Sequence, residues 1–104
     1  MTVDDSALDR ALHAIADPTR RRILRALKDG PDAPQPGKMV GPDACLCAGE
    51  IEERVQLSQP TISHHMAILT RAGLVEAKKQ GQWRWYRRNE KAIRKVVKTL
   101  NGKL

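Results

Sequence analysis

The chain has no phenylalanine, one tyrosine and two tryptophans among its 104 residues. Its core must therefore rest on Leu, Ile, Val, Met and Ala. The same shortage removes the base-stacking platforms on which single-stranded nucleic acids are held. Two cysteines are too few for the disulfide scaffold of a small secreted protein. No apolar run approaches the ~20 residues of a membrane-spanning helix, and the opening MTVDDSALDR is acidic, unlike a signal peptide. We expect a cytoplasmic protein with no membrane partner, its cysteines held as thiols. Enzyme signatures are missing too: there is no phosphate loop, no HExxH and no Ser-His-Asp arrangement, and adjacent His64 and His65 do not make a catalytic set. We read no enzyme and no organic cofactor.

Acids are the other scarcity, and it is local. Residues 54–104 carry 12 basic and 2 acidic groups, whereas residues 1–53 carry 7 basic and 10 acidic ones. A chain polarised in this way points one end at a polyanion. Its length leaves room for one domain, residues 1–104, with a modest core that burial against a partner subunit would help.

Helix signals dominate. Asp5 or Ser6 can cap a first helix to about Ala16, with Leu8, Ala11, Leu12 and Ile15 on one face. Asp17-Pro18 starts a second, to about Lys28, burying Ile23, Leu24 and Leu27 and closed by Asp29-Gly30. Residues 31–44 hold four Pro and two Gly and read as a loop. A short helix follows from Cys47 or Ala48 to about Arg54, and Gln56-Leu57 is a turn. The next helix, about Gln59 to Ala72, has Ser58 as cap and Gly73 as its left-handed stop. Ile62, Met66 and Leu69 fall on its inner side, and Thr61, His64, Ile68 and Arg71 on its outer side. Leu74–Lys79 and Gln82–Arg88 read as two strands joined at Gln80-Gly81. Asn89 can cap a last helix bearing Ile93, Val96, Val97 and Leu100 as an apolar stripe, which could serve a partner or the chain's own core. The predicted fold is mainly α with a small β-hairpin: a winged helix-turn-helix of about five helices and a two-stranded wing.

That arrangement suits double-stranded DNA. Base edges are read by short donors and acceptors near the start of a recognition helix, where Gln59, Thr61, Ser63 and His64 stand. Arg71, Lys78, Lys79, Arg84, Arg87 and Arg88 supply cations for phosphates, and Gln80-Gly81-Gln82 forms a thin tip able to approach a minor groove. A basic helix and hairpin is also what a solvated face looks like, and any single Lys here fits that plainer description. His65 reads as a packed histidine, and Trp83 and Trp85, on one strand face, as hairpin packing.

Cys45 and Cys47 precede this reader. Thiolates suit arsenic(III), antimony(III), Cd, Pb, Zn and Cu(I), and a helix N-terminus lowers a thiol pKa. On an ideal helix the two side chains point about 200° apart. Both sulfurs would reach one ion only through an irregular first turn, and binding would distort the helix. Two other readings stand beside this one: a redox or electrophile sensor, and two inert core residues.

The segments AIADPTRRRILRAL, CLCAGEI and LSQPTISHHMAILTRAGLVEAKKQGQWRWYRRN resemble the ArsR/SmtB family of bacterial repressors over nearly the whole chain. The resemblance implies a homodimer built from the first and last helices (1–16 and 89–104), bound to a palindromic operator that it represses. It places recognition residues at Ser58, Gln59, Thr61, Ser63 and His64 and a wing near Lys78 to Arg84. In arsenic-responsive members the thiol pattern is Cys-x-Cys-x-x-Cys; here the third position is Glu50. Water, an exogenous thiol or a partner's His13 or Asp9 would then complete the site. The family's other metal site, on the last helix, lacks its residues here: 89–104 contains no His and Glu90 as its one acid.

Overall fold

In the structure, a computed structural model, residues 3–30 and 45–104 are described. The Pro/Gly-rich stretch 31–44, read above as a loop, lies outside them. Helices α1 (Asp5–Ile15) and α2 (Pro18–Asp29) lead to a short strand β1 (Leu46–Cys47). Helices α3 (Ala48–Val55) and α4 (Gln59–Arg71), strands β2 (Val75–Gln80) and β3 (Trp83–Arg88), and helix α5 (Glu90–Lys103) complete the order.

Local chemistry sets most boundaries. Asp4, not Asp5 or Ser6, caps α1: its carboxylate accepts the Ala7 N–H at 2.7 Å. Asp17 caps α2, accepting the N–H of Thr19 and Arg20 at 2.7 and 3.1 Å, with Pro18 in the first turn, where no donor is needed. Asn89 caps α5 through the Ala92 N–H at 3.1 Å. Gly81, at φ 62, and Gln82 form the two-residue hairpin turn. Glycine with positive φ at its first position, followed by a residue with negative φ, is the type II′ pattern that matches the twist of paired strands.

The sheet departs from expectation. Among the described residues it has three strands in the order β1-β3-β2, not two, because Leu46 and Cys47 pair antiparallel with Tyr86 and Trp85. The Cys45-Leu46-Cys47 segment is thus extended, and α3 begins only after Cys47. Side chains alternate along such backbone. Leu46 and Tyr86 join the core, while Trp85, 2% exposed, lies on the opposite sheet face.

The core gathers Leu8 and Ala11 of α1, Ile23 and Leu27 of α2, Ile51 and Val55 of α3, and Ile62, Met66 and Leu69 of α4. Ile68, placed on the outer side by periodicity, packs half-buried against this cluster. The α5 stripe divides. Val96 enters the chain's own core, Ile93 and Leu100 are half-buried, and Val97 is 60% exposed. α5 lies on α1, tied by the Lys103–Asp5 ion pair at 2.8 Å and by the Val3 N–H donating to Thr99 Oγ1 at 3.1 Å. Among the described residues no helix is long and apolar enough to cross a membrane.

Arginines fasten helix ends from within. Arg21 donates to the Ile15 carbonyl at 2.7 Å, Arg22 to the Val55 carbonyl at 3.1 Å and Arg54 to the Ala26 carbonyl at 3.2 Å. Carbonyls in the last turn of a helix lack partners within it, so Arg21 and Arg22 satisfy otherwise orphaned acceptors, while Arg54 shares the Ala26 carbonyl with the Gly30 N–H.

Candidate nucleic-acid interface and thiol pair

α4 is the second helix of a helix-turn-helix. α3 ends at Gln56, whose φ of 57 puts a non-glycine residue in the left-handed region and turns the chain toward Ser58. Ser58 holds the cap position of α4, but its side chain makes no capping bond. Its hydroxyl pairs with that of Thr61 at 3.0 Å instead. Ser58, Gln59, Ser63 and His64 are exposed along the first two turns, and Thr61 is half-buried.

The hairpin stands beside that helix start. A cleft of about 420 Å³ opens between the N-terminus of α3, the first turns of α4 and the hairpin tip. Its walls bring together Gln59, Ser63, Lys79, Gln82 and Arg84, five residues picked out from the sequence as DNA contacts. Cys47 forms part of the same wall, with Ala48, Gly49, Glu52, Trp83 and Tyr86. Ser58, Thr61, His64, Arg71 and Lys78 do not line it. Arg71 and Lys78 are exposed elsewhere on α4 and β2.

Two expected phosphate anchors are otherwise engaged. Arg87 faces Glu76 directly across the β2–β3 ladder and holds its carboxylate at 2.6 Å, which pushes the guanidinium pKa further up. Arg88, its side chain 15% exposed, pairs with Glu90 at 2.7 Å. Neither is a spare cation. Trp83, expected to pack with Trp85, sits at the tip, 39% exposed, at the end of β3 beyond the core.

The cysteine pair also differs from expectation. Cys45 immediately precedes β1 and is 5% exposed, and Cys47 is half-buried as the cap residue of α3. The helical separation of about 200° does not apply, because the segment is extended. Cys47 lies opposite Trp85 in the ladder, and the same antiparallel register carries Cys45 toward Arg87, two residues further along β3. Both thiols therefore run beside the same strand that carries the hairpin tip. The Cys47 N–H donates to the Glu50 carboxylate at 3.1 Å in a capping box. Burial pushes the Cys47 thiol pKa up, and the Glu50 carboxylate adds to this against the pull of the Glu50 N–H. The lowering expected from the helix start is outweighed. Among the described residues no group of three Cys, His, Asp or Glu is placed to hold a metal ion.

Sequence reasoning missed β1 and the Cys47 wall. The only available signal was an apolar residue between two cysteines, too short an alternation to read as a strand.

Known proteins share this architecture. Residues 15–77 match the family model of a helix-turn-helix domain. The chain is 33% identical over 94 residues to an arsenical resistance operon repressor of Staphylococcus aureus, spanning 90% of this chain and 77% of that one. It is 33% identical over 90 residues to the transcriptional repressor SdpR of Bacillus subtilis, spanning 86% and 84%. Its fold matches the crystal structure of an ArsR family transcriptional regulator with a TM-score of 0.75 at 22% identity, over 99% of this chain and 92% of that one. A helix-turn-helix with a hairpin wing, joined to this degree of relatedness, places the chain in the ArsR family of helix-turn-helix transcriptional regulators.

Proposed function

We propose that this protein is a dimeric repressor that holds double-stranded operator DNA and releases it when a thiophilic ion of the arsenite or antimonite class binds at Cys45 and Cys47. The observation that carries the reading is the shared cleft, in which Cys47 stands in one wall with Gln59, Ser63, Lys79, Gln82 and Arg84. The first turns of α4 enter the major groove, where Gln59, Thr61, Ser63 and His64 meet base edges and Ser58 the adjoining backbone. Lys78, Lys79, Arg84 and Arg71 hold phosphates, and Gln82 brings the tip toward the minor groove. Two relatives that are repressors, one of an arsenical resistance operon, support the repressing role.

Two thiols fit a soft ion, and the third ligand must come from beyond the described residues: a small thiol, water or a partner's segment. When bound, the ion would hold both sulfurs as thiolates. The raised Cys47 pKa slows attack on peroxide or an electrophile, which need thiolate already present, and makes ion binding release a proton at Cys47. Cys47 shares its backbone with both β1 and the α3 cap. A change there loads the wing through β3 and the recognition helix through α3. That replaces the helix-unwinding route expected from sequence, and a ligand switches the protein only by such a difference between states. The twofold mate packs on α1 and α5, where Val97 is exposed and Leu12, Ile15 and Ile93 are half-buried.

The test uses a duplex enriched from a random DNA pool by the wild-type protein. Binding is titrated at several salt concentrations, then challenged with arsenite, antimonite, cadmium, lead, zinc and peroxide. The reading requires salt-dependent duplex binding, release by at least one ion, and loss of that release in Cys45→Ser/Cys47→Ser. A double variant that still lets go of DNA moves the sensor elsewhere.

A further inference from the structure

Arg20 is buried, at 7% exposure, and its one guanidinium meets three helices. Nε donates to the Ala14 carbonyl at 2.6 Å and Nη2 to the His13 carbonyl at 3.1 Å, both at the end of α1. Nη1 lies 3.8 Å from the Asp17 carboxylate at the start of α2. The same Nη1 lies 3.3 Å from Nδ1 of His65, on α4. An arginine side chain donates only and does not lose its proton, so Nδ1 of His65 must accept, and the neutral imidazole carries its proton on Nε2.

We propose that Arg20 and His65 are positioning residues that seat the recognition helix on α1 and α2, and that the seat holds only while His65 is neutral. This rests on the DNA-binding reading above. Protonation would turn Nδ1 into a donor aimed at a guanidinium and set two cations 3.3 Å apart, so the tie would break. His64, next along α4, is exposed on the DNA-facing side, its ring centroid 5.6 Å from that of His65. A shift of α4 at His65 therefore displaces a base-reading side chain.

The groups around His65 set its charge. From α2 come Arg20 and its cap Asp17, α4 supplies His64, and α1 presents carbonyls already taken by Arg20. Asp17 favours the cation, Arg20 and His64 oppose it, and burial opposes it most, so the His65 pKa lies below the ordinary histidine value. Among the described residues, no charged group of α3 or the sheet acts on it.

The sign separates this from general electrostatics. Acidification adds positive charge to a DNA-binding protein and ordinarily tightens its hold on phosphates. Failure at His65 weakens it.

The experiment measures the ratio of duplex affinities at pH 7.5 and pH 5.5, with the DNA selected as above, for wild type, His65→Asn, His65→Leu and Arg20→Lys. Asn keeps an acceptor near the Nδ1 position and cannot titrate. We expect wild type to lose affinity on acidification, by less than about tenfold because the His65 pKa lies below the ordinary value, His65→Asn to lose none, and His65→Leu and Arg20→Lys to bind more weakly than His65→Asn at pH 7.5. Wild-type affinity that is flat or rises toward pH 5.5, or an equal fall in His65→Asn, overturns the proposal. Long-range 1H–15N spectra of the imidazoles, recorded without DNA, must show the Nε2–H tautomer for His65 at pH 7.5; an Nδ1–H tautomer or an imidazolium there also overturns it. If wild type holds no duplex at any pH, the DNA-binding reading fails, and the tautomer alone decides whether the seat exists.

Discussion

Single side chains divide the cations of this protein into those that hold the fold and those offered to solvent. Arg87 and Lys79 both project from the hairpin, yet Arg87 is locked to Glu76 at 2.6 Å whereas Lys79 lines the open cleft. Lys79→Ala or Arg84→Ala should therefore weaken duplex binding at every sequence and reduce the salt slope by about one. Arg87→Ala should leave that slope unchanged. A slope that falls as much for Arg87 as for Lys79 would overturn the assignment. Histidines divide in the same way. Thr61→Ala or His64→Ala should relax sequence choice, measured by reselecting sites from the random pool. His65, which seats the helix, also acts on stability. Its pKa is lower folded than unfolded, so the unfolded chain binds more protons over that interval. The stability it contributes is complete above about pH 6.5 and is lost as pH falls through its folded value. Denaturant midpoints should drop below pH 6.5 in wild type and drop less in His65→Asn.

Elements show where the sequence was informative and where it was not. Asp17, Asn89, Gly73 and Gly81 were legible because one residue does the chemistry alone and sits where its side chain or φ value requires, whereas the α1 cap fell on Asp4 and Ser58 makes no capping bond. The strand β1 was not legible, because two residues give no period and its partner β3 is distant in sequence. The candidate site followed the same rule. Residues on α4 and the hairpin were found from local pattern, but the placing of Cys47 beside them depends on β1 pairing. The disposal of Arg87 and Arg88 depended on cross-strand and loop partners that composition cannot reveal. Leu46 anchors β1 with no exposed surface, so Leu46→Ala should cost about 2–5 kcal/mol in chemical unfolding. The turn between α3 and α4 is strained at Gln56, where φ is 57. Gln56→Gly should relieve that strain and shift unfolding by at most about 1 kcal/mol, the lost side-chain bond to the Glu53 carbonyl opposing the gain.

Across the whole molecule, two ends do different work. α1 and α5 form a platform joined by Lys103–Asp5 and Thr99, with Val97 left outward, while α4 and the hairpin present Gln59, Ser63, Lys79 and Arg84 to the open cleft. Sedimentation should show a dimer that Val97→Glu drives toward monomer; an unaffected dimer would place the interface elsewhere. The thiol pair lies on the cleft side, fixed to β3 on one side and to the α3 cap on the other. The central claim is that thiol ligation and DNA binding draw on one mechanical unit, and linkage makes it directly measurable. If an ion at Cys45 and Cys47 weakens the hold on DNA, DNA must weaken the hold on that ion by the same factor. Calorimetric titration of the most effective ion into wild-type protein, alone and saturated with the selected duplex, gives that factor. The account predicts an ion affinity at least about tenfold lower on the DNA-bound protein; equal affinities in the two titrations would contradict it.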